Sequence, residues 1–405
     1  MSILESVILM SGLIFCLNLL YWSKQTWGMI LTILMLFGAL AATLYWPLML
    51  GAAIGLVSVI ALHRFQPELA RGETRENTLR DWIQHLMSLS MLLVGIQYVV
   101  YYALLGNGVT VGLTRPDVVD AFLPIAGGLE LKAIIMLGLW DQNHPAAAVM
   151  LFTVLLSGVL CKRAFCGWIC PLGHAGTYLY QLRTRFIKGK FLPPSWVDWP
   201  LRMVKYLLLV GLLYIVVLAM PSNALPHYLN GYYQKIADLK MGMFFITPSL
   251  IEGILIGLVL ALVAWQDRAF CRYLCPYGAV LGLLSFFSPL KVRRDTAHCL
   301  NETKGMDCDK CTRACPARIK VHTVETVRTD ECQACMRCVS ACPQKKALGV
   351  RLPTGKNVTS RGVLILLLLL MFGIPLLAYL GGFWHSQVSD ETRMELMKYI
   401  HQINH

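Results

Sequence analysis

The sequence predicts an all-α polytopic membrane protein of about eight spans, with a small α+β domain inserted before the last span. Three observations carry this expectation. The 405-residue chain is 56% hydrophobic and only 15% charged, with a mean hydropathy of +0.57, well beyond what soluble domains need. Apolar runs close to span length recur along it. Eight of its fourteen cysteines crowd between Cys299 and Cys342, in a polar and basic stretch.

Taken in order, the expected spans are Ile8–Tyr21, Met29–Tyr45, Pro47–His63, Trp82–Leu105, Ala146–Leu160, Val204–Met220, Leu250–Trp265 and Val363–Phe383. The first run lacks a basic leader and a small-residue cleavage site, so it is read as a span and not as a cleaved signal. Segment Ala121–Trp140 is apolar but holds Glu130 and Lys132, which makes it interfacial or re-entrant and not a ninth span. The net charge of +13 follows the positive-inside rule and does not call for nucleic acid. Arg64, Arg71, Arg75 and Arg80 share one loop; Lys162, Arg163, Arg183, Arg185, Lys188 and Lys190 share a second; Arg268, Arg272, Lys291, Arg293 and Arg294 share a third. The alternate loops Gly106–Asp120 and Pro221–Pro248 are poor in Lys and Arg. This places the cysteine-rich segment in the cytoplasm of a bacterial inner membrane, with both termini periplasmic.

The cysteine spacing carries the chemistry. Cys332-x2-Cys335-x2-Cys338-x3-Cys342-Pro343 is the run by which bacterial ferredoxins hold [4Fe–4S] clusters. Cys308-x2-Cys311-x3-Cys315-Pro316 repeats it without its first cysteine, which Cys299 supplies if Leu300–Asp307 folds back. The fourth cysteine of each run ligates the other cluster. One set is therefore Cys299, Cys308, Cys311 and Cys342, and the other is Cys332, Cys335, Cys338 and Cys315. The inserted domain is expected to be an α+β bacterial 2[4Fe–4S] ferredoxin-like domain. Structural zinc sites also use four cysteines, but they pair distant knuckles and need no compact run ending in proline. Thiols at such spacings indicate a reducing compartment.

One internal repeat stands beside this. Arg163-Ala164-Phe165-Cys166-x3-Cys170-Pro171-x-Gly173 recurs 105 residues later as Arg268-Ala269-Phe270-Cys271-x3-Cys275-Pro276-x-Gly278. The two copies enter in the same direction, as parallel repeats about an axis along the membrane normal do. Cys-x3-Cys sets two thiols one helical turn apart, and proline after the second suits the first residue of a new helix. Cys166, Cys170, Cys271 and Cys275 are expected to converge on a third cluster. Redox-active thiols are the alternative. Cys161 is an extra thiol near the first copy, and Cys16 fills a span.

Between Lys291 and Lys356 fourteen Lys and Arg face seven Asp and Glu, which suits anionic lipid or an acidic electron donor. His63 and His85 sit at span ends, and His227, His385, His401 and His405 lie outside spans, so no pair sits at the matching depth that a haem needs. Glu130, Lys132 and His144, with Trp140 and Asp141, are held as a hypothetical quinone site, against a snorkelling Glu130–Lys132 pair. The tail Ser386–His405 is read as an amphipathic surface helix or a docking segment.

With these motifs in hand, the chain resembles the NapH/NosR-type membrane polyferredoxins, the group that includes YccM-like and CcoG-like proteins. The resemblance runs from about Ala146 to Phe383, and no NosR-type flavin domain is present. It implies electron traffic between the quinone pool or a cytoplasmic donor and a respiratory partner such as a periplasmic reductase. The expected organisation is 1–145 transmembrane helices, 146–290 transmembrane core with the duplicated motif, 291–360 cluster domain, 361–385 last span and 386–405 external tail. The expected role is an electron-transfer subunit, and an enzyme only if it has a quinone site of its own. A membrane thiol or metal reductase that matures a copper or haem enzyme is the alternative.

Overall fold

The computed structural model describes residues 4–8, 10–12, 14, 53–54, 57, 76–109, 113–187, 193–344 and 346–403. The expected span Met29–Tyr45 lies wholly outside these residues, and Ile8–Tyr21 and Pro47–His63 lie almost wholly outside them.

What is described is mostly helical. Helix α1 (Glu76–Gly106) leads into a 3-10 turn at Asp117–Phe122 and then α2 (Pro124–Leu137). Helix α3 (Pro145–Cys161) runs from α2 to the first motif copy, whose short helix α4 (Ala164–Trp168) is followed by α5 (Pro171–Phe186). Helix α6 (Ser195–Leu213) ends in a π-type turn, Tyr214–Ala219. Helices α7 (Ala237–Ile246) and α8 (Leu250–Trp265) precede the second copy, after which α9 (Pro276–Leu284) begins. The cluster segment follows, and then α10 (Ser360–Leu380) and the tail helix α11 (Asp390–Lys398).

Among the described residues three helices are long and apolar enough to cross a membrane: Leu79–Gly106, Trp196–Ala219 and Ser360–Leu380. The expected span at Leu250–Trp265 coincides with α8, which is bent by 75° from α7; the two together pass as a fourth candidate span, broken at the bend. Ser249 and Glu252 form a capping box that starts α8 at this bend. Helix α3 is apolar but has 17 residues, short of the roughly 20 that cross a bilayer. The stretch expected as the loop Pro221–Pro248 is instead largely helical, with turns at Leu225–Leu229 and Tyr232–Lys235 ahead of α7.

The cluster segment is tied by a three-stranded antiparallel sheet in the order β1 (Lys291–Arg294), β2 (Leu348–Arg351) and β3 (Asn357–Val358). Val292 pairs with Val350, and both are buried. This sheet does not close a core of its own. Val292, Val321, Val327, Leu348 and Val350 share one continuous apolar core with Trp168, Leu281, Val363, Leu364 and Leu367 of the helices. Burial of a side chain of this size contributes about 1.5–3 kcal/mol, so hydrophobic contact is a large part of what fixes the segment against the motif copies.

Candidate metal centre

The two motif copies fold alike. Cys170 and Cys275 are N-caps, and Pro171 and Pro276 are the first residues of α5 and α9, where a missing N–H costs no helical bond. Each copy ends in the same wide turn: the Cys170 N–H donates to the Phe165 carbonyl (3.0 Å) and the Cys275 N–H to the Phe270 carbonyl (2.9 Å). This is the break that proline after the second cysteine implies.

The copies are also reciprocally joined. Arg163 donates to the Cys271 carbonyl (3.2 Å), and Arg268 donates to the Cys166 carbonyl (2.9 Å). Both arginines are buried. The closing glycines fit tightly within each copy, where a Cβ at Gly173 would stand 2.9 Å from the Cys166 carbonyl and one at Gly278 2.7 Å from the Cys271 carbonyl, and between the copies a Cβ at Gly278 would stand 3.0 Å from the Arg163 guanidinium. The pseudo-twofold relation thereby brings Cys166, Cys170, Cys271 and Cys275 into mutual electrostatic reach, with both guanidinium groups beside them.

The cluster segment gathers its own thiols in two groups. Cys315 and Cys338 face Cys332 and Cys335, and the four line one apolar cavity with Val292, Val321 and Val327. Cys342 faces Cys299 and Cys308, and Cys311 faces Cys308 and Cys342. Cys299 gets there through a one-turn helix, Leu300–Lys304, that ends on left-handed Gly305. No described cysteine is in a disulfide. Among the described residues no three His, Cys, Asp or Glu side chains stand at the spacing of a single metal ion. Donor sets made of thiols alone, spread more widely than one ion needs, fit polynuclear iron–sulfur clusters better than zinc.

The loop Asp330–Met336 then docks on the motif copies. Trp168 Nε1 donates to the Ala334 carbonyl (3.0 Å), Arg163 to the Asp330 carbonyl (2.7 Å) and Arg80 to the Cys335 carbonyl (3.1 Å). Arg268 also reaches the Gln333 side chain. Gly167 is the closest seam: a Cβ there would stand 2.7 Å from the Gln333 carbonyl and 3.3 Å from Cys335 Cβ. Ala334 and Met336 have positive φ (46° and 56°), so the backbone on both sides of Cys335 curls in the manner of anion-binding nests. A buried ionic latch completes the seam. Lys205 of α6, with no exposed surface, pairs with Glu331 and with Asp330 (3.3 Å), whose carboxylate also accepts from the Tyr206 hydroxyl (2.5 Å). Burial would raise the Asp330 carboxyl, but Tyr206 and Lys205 outweigh it and hold it down to about 2. On the other flank Asp198 binds Arg272 (2.8 Å) and the Tyr273 hydroxyl (2.6 Å), and Arg272 donates to the Ala317 carbonyl (2.9 Å).

Of the residues expected for a quinone, Glu130 and His144 share one buried network and Lys132 lies outside it. Glu130 accepts from the Ala148 N–H (3.0 Å) at the start of α3 and from Gln234 (3.4 Å). His144 bonds Asp120 (2.9 Å) and the Gln234 carbonyl (2.6 Å) in the same buried network, where Arg115 meets Asp117, Asp120 and Asp238. Lys132 is elsewhere. Its ammonium caps the Val216, Val217 and Met220 carbonyls where the π-type turn ends, so the expected Glu130–Lys132 pair does not form. The tail packs Met394, Met397 and Ile400 against Tyr101, Tyr102 and Leu105 of α1.

Sequence reasoning missed Lys205, Asp198, Asp330 and Glu331. Lys205 carried a usable signal, since an ionisable residue inside an apolar run is a functional candidate by default.

Thiol quartets, nests and buried guanidinium groups at the ends of apolar helices define a membrane protein of the iron–sulfur electron-carrier class. Comparison with known proteins agrees. The 4Fe-4S binding domain family matches residues 143–191 and 247–294, one stretch for each motif copy, and the 4Fe-4S dicluster domain family matches 291–343. The putative electron transport protein YccM of Escherichia coli is 35% identical over 302 residues, covering 73% of this chain and 83% of YccM. The regulatory protein NosR of Pseudomonas aeruginosa is 28% identical over 42% of this chain and 22% of its own length. The ferredoxin-type protein NapH of Escherichia coli is 27% identical over 43% of this chain and 56% of its own length. No solved structure matches. The chain belongs to the NapH/NosR-type polyferredoxin family of electron-transport proteins.

Proposed function

We propose that the protein is a bacterial inner-membrane electron relay. It passes electrons between the quinone pool or a cytoplasmic donor and a respiratory partner such as a periplasmic reductase. Its cluster domain, about residues 291–360, faces the cytoplasm, and the full chain has about eight spans with both termini periplasmic. Cys299, Cys308, Cys311 and Cys342 would hold one [4Fe–4S] cluster, and Cys332, Cys335, Cys338 and Cys315 a second. Cys166, Cys170, Cys271 and Cys275 would hold a third at the membrane edge. The clusters supply one-electron transfer when bound.

The observation that carries this reading is the seam at Gly167, where the Cys335 loop meets the first motif copy with no side chain between them. The chain's own contribution is positional and electrostatic. Trp168, Arg163 and Lys205 fix the separation of two thiol quartets. Arg163 and Arg268 place positive charge where an added electron would make the site more negative, and apolar packing keeps water out. On this order the Cys332 quartet is the inner one, and the Cys299 quartet meets the soluble donor.

Cys335→Ser is expected to remove most of one cubane's EPR signal and to lower total iron while the other signals persist. Replacing Cys170 and Cys275 together by Ser should lower iron by about four per chain and leave both ferredoxin signals. Unchanged iron in the double variant would sink the membrane site.

A further inference from the structure

Glu130 and His144 stand at the start of α3, while the motif thiols stand past its end, about 25 Å away along 17 residues. A quinone at Glu130 would therefore exchange electrons with those thiols only over the length of a helix. A second pair of polar groups sits right beside them. His174 lies in the first turn of α5, its N–H donated to the Cys170 carbonyl (3.2 Å). His85 of α1 faces it edge to face, with ring centroids 4.6 Å apart. The neighbouring Gln84 donates to the Gly167 carbonyl (2.6 Å), so both helices rest on the first motif copy.

The partner fixes the tautomer of His85, and that of His174 is set by which way the Ser88 hydroxyl points. His85 Nδ1 lies 2.5 Å from the Asp81 backbone oxygen, which only accepts, so Nδ1 carries the hydrogen and Nε2 keeps a lone pair. His174 Nδ1 lies 2.8 Å from the Ser88 hydroxyl, and with Ser88 donating, His174 carries its hydrogen on Nε2. Neither Nε2 has a hydrogen bond among the described residues. With Ser88 donating, the pair presents an acceptor on His85 and a donor on His174. Around it Trp82 and Leu89, one turn either side of His85, and Tyr178, one turn beyond His174, are 48%, 53% and 59% exposed.

We infer that this histidine pair on the facing sides of α1 and α5 binds the head group of a membrane quinol or quinone, a reading that rests on the proposed relay. One quinol hydroxyl fits both groups: its O–H donates to His85 Nε2, and its oxygen accepts from His174 Nε2–H. The exposed ring of Trp82 and the side chain of Leu89 supply the apolar wall that the quinone ring needs. Oxidation of the quinol there would release its two protons, through the exposed His85, to water, and its two electrons would leave one at a time through an iron–sulfur centre held by the adjacent thiols and on to the Cys332 quartet. Quinone reduction is the reverse.

The test uses the purified, anaerobic, cluster-loaded protein and a short-chain azidoquinone, with photolabelled peptides mapped and binding titrated in the dark. Label is expected within residues 81–89 and 172–178. His85→Leu and His174→Leu should each weaken binding about tenfold, with iron and sulfide per chain unchanged. His174→Gln, which keeps an N–H donor, should stay within about threefold. Label confined to residues 121–148, or unchanged affinity in both leucine variants, would overturn the site. The relay and the site fail separately. Unchanged iron in the Cys170/Cys275 variant removes the relay and leaves the binding site, whereas lost iron with no label at the histidines removes the site and leaves the relay.

Discussion

Lys205→Met is expected to destabilise the docked cluster segment by about 3–5 kcal/mol, because it strands a buried charge. Glu331 is almost fully buried, and Lys205 and Arg163 (4.0 Å) are its cationic partners. Methionine fills the volume but leaves the carboxylate short of its main counter-ion. Thermal unfolding of the loaded protein should therefore begin at a lower temperature, with the signal of the Cys332 quartet lost first. Replacing Glu331 by Leu in the same chain should restore much of the loss, since removing both charges is far cheaper than removing one. A Lys205→Met protein whose stability lies within about 0.5 kcal/mol of the parent would show that the latch contributes little.

Gly167→Val is expected to have the second large effect, and on a different quantity. The added side chain has no room between the first motif copy and the Gln333 carbonyl, so the loop must move away. Overpacking of this kind costs about 1–3 kcal/mol. It should also widen the gap between Cys335 and the membrane thiols and slow electron exchange between the two quartets several-fold. Gly167→Ala, with one methyl group, should fall between valine and the parent. Rapid-mixing reduction of the loaded protein, followed at each EPR signal, checks this. Equal rates in all three proteins would remove the Gly167 seam from the path.

The site was far more legible in the sequence than the rest of the fold. Each motif copy announces its own helix break, because Cys-Pro encodes an N-cap followed by a first-turn proline, and the offset of 105 residues encodes the symmetry. The crossed thiol groups follow from local spacing in the same way. What no spacing encodes is how distant segments meet. Lys205 and Glu331 are 126 residues apart, and Gly167 meets Gln333 across a still longer stretch of chain, so nothing periodic marks either contact. Hydropathy placed the run Leu250–Trp265 at the bounds of α8, but it carries no sign of the helix α7 ahead of it or of the 75° bend between them. For Glu130 and Lys132, adjacency in sequence suggested a pair. Positions two apart on a helix face away from each other, and each found backbone or amide partners instead.

The central claim is that three thiol quartets, not two, hold iron. Anaerobic iron and acid-labile sulfide per purified chain, with EPR of the reduced sample, test it most directly. The relay predicts about twelve irons and a signal beyond the two ferredoxin-type ones. A value of about eight, with only those two signals, would confine the clusters to the cluster domain and leave Cys166, Cys170, Cys271 and Cys275 to thiol chemistry.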